Sequence, residues 1–279
     1  MLSSQGLAVA GTHGKTTTSS LLAWVLEQAG SSPSYAIGGI TPQLKTHARQ
    51  GTSNYFVIEA CESDGSLLNY TPYGAIVTNI DWDHMDYYGS KENLIDTFRK
   101  FIHKVKSPDH IFWCGDDPHL KQMNPPGISY GFGKHCQLQA SHFEQHEWMT
   151  RFDLSFQGKV YPQVEVSLTG IHNALNALAI FGICLALGID EKLIRNGLRT
   201  FGGVLRRCER KGETHEILFL DDYAHHPTEL KAILKAIRNA IGERRLVVAY
   251  QPHRYSRAKT LIGMYAGVFD EADHMFVTE

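Results

Sequence analysis

The stretch Gly6-Leu7-Ala8-Val9-Ala10-Gly11-Thr12-His13-Gly14-Lys15-Thr16-Thr17 decides the fold. Gly6–Ala10 is a short apolar run of the kind that forms a buried strand. Behind it, Thr16–Ala29 carries apolar residues at helical spacing. A glycine-rich turn between strand and helix lets backbone N–H groups curl around a phosphate, and the helix N-terminus adds its positive dipole end. Lys15 can reach terminal phosphates, and the Thr16 hydroxyl can ligate Mg²⁺. The spacing departs from the standard phosphate loop, because Gly11 stands three residues before Gly14 and Val9 occupies the place five before. The bland alternative, a surface turn with a solvated lysine, leaves the combination of strand, helix and Gly-Lys-Thr unexplained.

Working outward, Tyr55–Ala60 and Ala75–Ile80 are two further apolar strands, and Asn93–Val105 has a helical pattern. This strand–helix rhythm predicts an α/β fold with a mostly parallel sheet and right-handed crossovers. Ile128–Leu168 alternates polar and apolar residues, with Gly158 as a turn, and predicts a small antiparallel appendage. Helices follow at Ile171–Leu187 and Glu191–Thr200. Phe201-Gly202-Gly203 then breaks the pattern, which places a domain boundary between 1–202 and 203–279. Beyond it the rhythm restarts: strand Glu216–Leu220, helix Pro227–Ala240, strand Arg245–Ala249, helix Ala258–Phe269 and strand His274–Val277. An α/β unit of three strands is small, so the expectation is a truncated Rossmann-like domain ending at Glu279.

The composition bounds the function. A chain of 279 residues has room for about two domains. With 27 basic and 29 acidic residues the net charge is −2, which argues against nucleic acid or an anionic membrane as the main partner. The five cysteines are odd in number, widely spaced and without a C-x-x-C pair, so neither a disulfide framework nor a zinc knuckle is expected, and a reducing cytosol fits. Met1–Gly6 lacks the basic start and apolar stretch of a signal peptide. The most apolar run, Ala177–Ile189, is about 13 residues, too short to span a bilayer.

Three more clusters follow predicted strands, where ligands of a phosphate-bound metal are expected. Tyr55–Ala60 delivers Glu59, with Glu62 and Asp64 just after it, and Ala75–Ile80 runs into Asp81-Trp82-Asp83-His84. An acid at the end of a buried strand is costly unless paired or metal-bound; the alternatives are a salt-bridged structural acid at Glu59 and a helix-capping or core histidine at His84. Asp221-Asp222-Tyr223-Ala224-His225-His226-Pro227-Thr228-Glu229 opens a helix, with Pro227 in its first turn. A zinc site from His225, His226 and Glu229 ranks below other readings, because adjacent histidines share one metal poorly. In Gln251-Pro252-His253-Arg254-Tyr255-Ser256-Arg257, two arginines three apart suit a small anionic ligand, against the alternative of a solvated basic turn.

The segments AGTHGKTTT, VIEACESDGS, IVTNIDWDHMDYYG, TGIHNALNALA, RRCE, DDYAHHPTE and QPHRYSR, in that order, resemble the Mur ligase family over nearly the whole chain. The resemblance implies a central ATP-binding domain over 1–202 and part of a C-terminal amino-acid-binding domain over 203–279. It also implies that a UDP-sugar-binding domain and the end of the last domain lie outside this chain. By the same resemblance Gly11, Thr12, His13, Gly14, Lys15, Thr16 and Thr17 hold the ATP phosphates, and Lys15, Glu59, His84 and His225 are the catalytic candidates. Thr16 and Glu59 ligate one Mg²⁺ and His84 a second. His172, Asn173 and Asn176 meet the adenine, while Arg207 and Asp222 reach ATP when the domains close. Tyr223, His225, Arg254 and Arg257 handle the amino acid. Where several sister ligases carry a modified lysine, this chain has Arg99, as the L-alanine-adding branch also lacks it; Cys208 replaces an aromatic residue.

The implied activity is cytoplasmic and belongs to peptidoglycan precursor synthesis. ATP activates the carboxylate of UDP-N-acetylmuramate as an acyl phosphate, and L-alanine attacks it. A tripeptide-recycling ligation onto the same sugar nucleotide is the alternative, with folylpolyglutamate synthesis more distant. Outside catalysis stands a Mg-ATP-binding fragment without turnover. No nucleic-acid or membrane partner is implied, and the oligomeric state is left open.

Overall fold

A computed structural model describes residues 5–278. Met1–Ser4, on which part of the leader-sequence reading rests, and Glu279 lie outside the described residues. The chain opens β1 (Gln5–Ala10), α1 (Lys15–Gln28), β2 (Ser34–Ala36), β3 (Ala48–Arg49), β4 (Tyr55–Glu59), β5 (Gly74–Val77), α2 (Met85–Tyr88) and α3 (Lys91–Ile102). It continues β6 (Ile111–Cys114), α4 (Pro118–Met123), β7 (Ile128–Gly131), β8 (Leu138–His146), β9 (Met149–Phe156), β10 (Lys159–Val166), α5 (Ile171–Ala186) and α6 (Glu191–Thr200). All these strands join one sheet in the order β10-β9-β8-β7-β6-β5-β1-β4-β2-β3.

The sheet is parallel from β2 through β8, and only β3, β9 and β10 run against their neighbours. This gives the mostly parallel α/β architecture expected, with one correction. The alternating segment does not begin an appendage at Ile128: β7 is a parallel strand of the main sheet, and β8 pairs parallel with it before turning into the β8–β10 meander. Buried β7 sits between two parallel neighbours, and its four residues are too few for alternation to report the pairing.

The core lies on this sheet. β1 buries Leu7, Ala8, Val9 and Ala10, and β5 is buried throughout. α3 places Leu94, Phe98, Phe101 and Ile102 at helical spacing into the same core. α1, α5 and α6 pack against one another. Because β1 lies between β4 and β5, the turns after all three strands converge at their C-terminal ends, where open α/β sheets bind ligands.

The rest of the described chain forms β11 (Glu209–Thr214), β12 (Ile217–Asp221), α7 (Pro227–Ile241), β13 (Val247–Tyr250), α8 (Tyr255–Leu261) and β14 (His274–Val277). It has its own small core around Ile233, Leu234, Ile237 and Leu246. The strand expected at Glu216–Leu220 pairs with β11 as an antiparallel hairpin, while β13 and β14 pair in parallel as a separate ribbon. The helix expected over Ala258–Phe269 starts earlier and ends earlier: α8 tightens into a 3₁₀ turn at Ile262–Met264, and Gly267 at φ 70° lies beyond it.

Candidate active site

Two glycines shape the phosphate loop. Gly11 has φ 135°, and a Cβ there would lie 1.9 Å from the Thr78 hydroxyl. Gly14, at φ 82°, is the residue before the first turn of α1, and Asn176 packs directly over it. The loop is stapled to the end of β5. Thr78 Oγ1 and Asn79 Nδ2 donate to the His13 carbonyl at 2.6 and 3.1 Å, and the His13 N–H donates to Asn79 Oδ1 at 2.8 Å. These bonds fix the backbone of the loop just before α1.

Lys15 is turned back under the loop, donating to the Gly11 and Thr12 carbonyls at 2.7 and 2.9 Å. Its Nζ also lies 2.7 Å from Glu62 Oε2. Next to it, Thr16 Oγ1 donates to Glu59 Oε1 at 3.1 Å, and the other Glu59 oxygen receives the Gly38 N–H at 2.8 Å. His84 stands in the left-handed region (φ 57°) at the start of α2, without a side-chain capping bond, and its Nε2 is 3.8 Å from Glu62 Oε1. The structure therefore pairs Thr16 with Glu59 and joins Lys15 to His84 through Glu62, with Lys15 and Thr16 adjacent in the chain.

The donor set fits a divalent cation. Hydroxyl and carboxylate oxygens suit Mg²⁺ or Mn²⁺, and one imidazole nitrogen adds to them. Glu62 is 1% exposed, and neither of its carboxylate oxygens receives a hydrogen bond. The Lys15 contact is an ion pair outside hydrogen-bond alignment. A buried carboxylate in this condition is expensive without a cation.

A cavity of about 680 Å³ opens from the loop toward the second lobe. His13, Gly14, Thr16 and Thr17 form its floor, His172, Asn173 and Asn176 one wall, and Arg207, Asp222 and Glu229 the facing wall. Asn176 Nδ2 donates to Asn173 Oδ1 (3.1 Å), and Asn173 Nδ2 to the Thr169 carbonyl (2.8 Å), which freezes both amides. Burial pushes His172 down to about 4, so it is neutral, and its Nδ1 is buried without a partner. Asp222 accepts the Cys208 and Ala224 N–H groups at 2.6 Å each, and burial raises its carboxyl above the usual range.

The second lobe is docked onto the loop through His13. Its Nε2 lies 2.9 Å from Asp81 Oδ2 and its Nδ1 3.2 Å from Glu229 Oε1, at the start of α7. Burial alone would lower the His13 pKa, but the two carboxylates outweigh it and hold it at about 9. Thr228 Oγ1 also donates to Asp81, at 2.7 Å. His226, completely buried, caps α7 through Nδ1, and Glu229 completes the capping box. The capping geometry explains the paired histidines without zinc: Glu229 accepts the His225 and His226 N–H groups, and His226 Nδ1 faces Asp81 at 3.6 Å.

The two arginines part company. Arg254 is exposed at the start of α8, whereas Arg257 is half-buried and makes a bidentate pair with Asp83, Nε to Oδ1 and Nη2 to Oδ2 at 3.0 Å each. Both still line a small pocket of about 30 Å³ that also contains His84. Tyr223 stacks under the Arg206 guanidinium at 4.4 Å, and the His225 ring faces His253 at 5.5 Å. His225 Nδ1 is 2.9 Å from the Tyr223 carbonyl, and burial lowers its pKa. Sequence reading gives Glu62, Asp81 and Asp83 only a place among the acids after predicted strands, and Glu229 only a place in the low-ranked zinc alternative. Acidic residues immediately after predicted strands were the available signal for the first three.

Comparison with known proteins follows this division. The pattern of the Mur ligase middle domain matches residues 9–184, and that of the Mur ligase glutamate ligase domain matches residues 206–279. The chain is 52% identical, over 99% of its length and 61% of the relative's, to a UDP-N-acetylmuramate–L-alanine ligase of Protochlamydia amoebophila. It thus spans about three fifths of that relative's length, and about a third of the longer bifunctional relatives it also matches. Among solved structures it is similar to the UDP-N-acetylmuramate–alanine ligase of Thermotoga maritima, with TM-score 0.86, 28% identity, and 99% and 62% of the two chains covered. It is also similar to a murein peptide ligase of Psychrobacter arcticus, with TM-score 0.72, 26% identity, and 99% and 63% covered. With both family patterns present in order on the fold just described, the chain belongs to the Mur ligase family.

Proposed function

We propose that this chain carries the ATP-binding and amino-acid-binding parts of a ligase that joins L-alanine to the carboxylate of UDP-N-acetylmuramate, with ATP and Mg²⁺, in the cytoplasmic synthesis of peptidoglycan precursors. The observation that carries the reading is that Lys15 and Thr16 of the phosphate loop stand beside Glu62 and Glu59, that His84 lies 3.8 Å from Glu62, and that Thr16 lines a cavity shared with Arg207, Asp222 and Glu229 of the second lobe. The likeness to alanine-adding relatives supports the choice of amino acid. The two matched family patterns support a division near 202/203.

In this reading the loop amides and Lys15 receive the ATP phosphates, Thr16 and Glu59 would hold one Mg²⁺, and His84 would hold a second. Bound there, the metal neutralises phosphate charge so that a second anion, the substrate carboxylate, can approach. His172, Asn173 and Asn176 contact the base end of the nucleotide, and Arg207 and Asp222 close over it. Oxygen of the carboxylate takes the terminal phosphoryl group, giving an acyl phosphate and ADP. The amine of L-alanine then forms the amide bond and phosphate leaves. Arg257, with Arg254 at the pocket rim, holds the alanine carboxylate, while Tyr223 and His225 lie on the amine side.

ADP release by an intact ligase that contains this chain together with a UDP-sugar-binding domain, measured with UDP-N-acetylmuramate and a panel of L-alanine, glycine, L-serine and tripeptide, tests this; the chain alone is expected to bind Mg-ATP with weak or no turnover. L-Alanine-dependent turnover that Lys15→Ala abolishes is expected. Release with tripeptide alone would move the assignment to the recycling ligation. Absence of Mg²⁺-dependent ATP binding in a direct titration would end the reading altogether.

A further inference from the structure

Glu62 is the least satisfied charged group in the cluster. Its side chain is 1% exposed, both oxygens lack hydrogen bonds among the described residues, and the Lys15 ammonium lies 2.7 Å away. Its main chain is fixed, since the Glu62 carbonyl accepts from the Tyr88 hydroxyl and from the Gly65 N–H. With the main chain held, a carboxylate this deeply buried reaches water only by repacking its surroundings when its partner leaves. On the reading above, Lys15 does leave, because a nucleotide triphosphate would draw its ammonium away from the loop carbonyls and from Glu62. That would strand a buried anion, a costly state unless a second cation takes the lysine's place.

The geometry says where that cation sits. Two ligands of one Mg²⁺ bound at about 2.1 Å each can be at most about 4.2 Å apart. Glu62 Oε1 and His84 Nε2 are 3.8 Å apart, between the cis and trans separations of an octahedral Mg²⁺ (about 3.0 and about 4.2 Å), so a shift of less than about 1 Å lets them share an ion. Glu59 is committed elsewhere, to Thr16 and the Gly38 amide.

We propose that Glu62 is a ligand of the divalent cation held by His84, and that Lys15 is its placeholder until metal and nucleotide arrive together. This rests on the Mg-ATP reading and adds a cation exchange to it. Metal binding at His84 and release of Lys15 toward phosphate become one event, so neither ligand binds well alone.

The test is Mn²⁺ titration of the whole chain, followed by electron paramagnetic resonance, with and without a non-hydrolysable ATP analogue. Wild type that shows no analogue-enhanced Mn²⁺ binding would sink the Mg-ATP reading itself. If wild type shows it, Glu62→Gln is expected to weaken Mn²⁺ at least about tenfold with the analogue present, and Glu62→Asp to recover part of the loss. Glu62→Gln combined with His84→Asn should lose less than the product of the two single effects, because both act on one ion. Wild-type Mn²⁺ affinity in Glu62→Gln would overturn the proposal, as would independent effects in the double variant. Should Glu62→Gln fail to fold, Glu62→Asp and His84→Asn carry the same comparison.

Discussion

His13 of the phosphate loop and Glu229 of the second lobe meet at 3.2 Å, with Asp81 bonded to the other imidazole nitrogen at 2.9 Å. One protonated ring thus ties the loop to both walls of the cleft. Burial opposes the charge, yet the two carboxylates hold His13 at about 9 against an ordinary 6.5. A raised histidine pKa stabilises fully below pH 6.5 and loses its contribution as pH climbs through 9. The shift corresponds to a ceiling on the order of 3 kcal/mol. Melting temperature followed from pH 6.5 to 9.5 should fall more steeply in wild type than in His13→Gln. Parallel curves would show that the ring does not hold the lobes together.

Gly11 is predicted to be the least replaceable residue of the loop. Alanine there must adopt φ 135° and push its Cβ to 1.9 Å from Thr78 Oγ1, which itself holds the His13 carbonyl. Gly11→Ala should cost about 1–3 kcal/mol and abolish nucleotide binding. Adding Thr78→Ala removes the collision but not the backbone strain, so recovery should be partial. Chemical denaturation and nucleotide titration of both variants check this.

Arg257 is expected to act as a unit with Asp83. Burial would raise the Asp83 carboxyl, but the guanidinium outweighs it and holds the group below its usual range. Arg257→Gln leaves a buried acid unpaired and should cost about 3–5 kcal/mol, with the Arg257→Gln, Asp83→Asn double variant losing less than the sum. Arg257→Lys keeps the charge but not the fork. If the fork also takes the alanine carboxylate, Arg257→Lys raises the KM for L-alanine at least tenfold and leaves ATP binding unchanged.

What sequence could and could not disclose follows from range. The β1–loop–α1 unit, the exit of β4 at Glu59 and the approach to His84 are local, and apolar runs with glycine punctuation reveal them directly. The contacts that join the lobes link residues 147, 174 and 216 positions apart, as Thr228–Asp81, Arg257–Asp83 and His13–Glu229. No periodicity carries such pairings. Glu62 is visible as one of two acids just after β4; its importance lies in burial without a hydrogen-bond donor, which only packing reveals. The early end of α8 was hidden because Ala258–Phe269 keeps apolar spacing while Gly263 and Gly267 interrupt it.

His225 offers the sharpest pH test of the amino-acid side. Burial lowers its pKa, with Glu229 opposing and the nearby Arg257 adding to the effect, so the ring is neutral at pH 7. A neutral imidazole whose Nδ1 faces the Tyr223 carbonyl at 2.9 Å carries its proton there and leaves Nε2 free to accept one. Such a ring can orient the amine of the incoming amino acid or take its proton. Acidification protonates Nε2 and removes that ability, so kcat/KM for L-alanine should drop on the acid side, below the ordinary histidine value of about 6.5. His225→Gln retains an acceptor that cannot titrate. It is expected to show a lower plateau with the acid limb flattened, while ATP binding measured in parallel is unchanged. An acid limb that survives the substitution would assign the titration to another group and remove His225 from the amine side of the site.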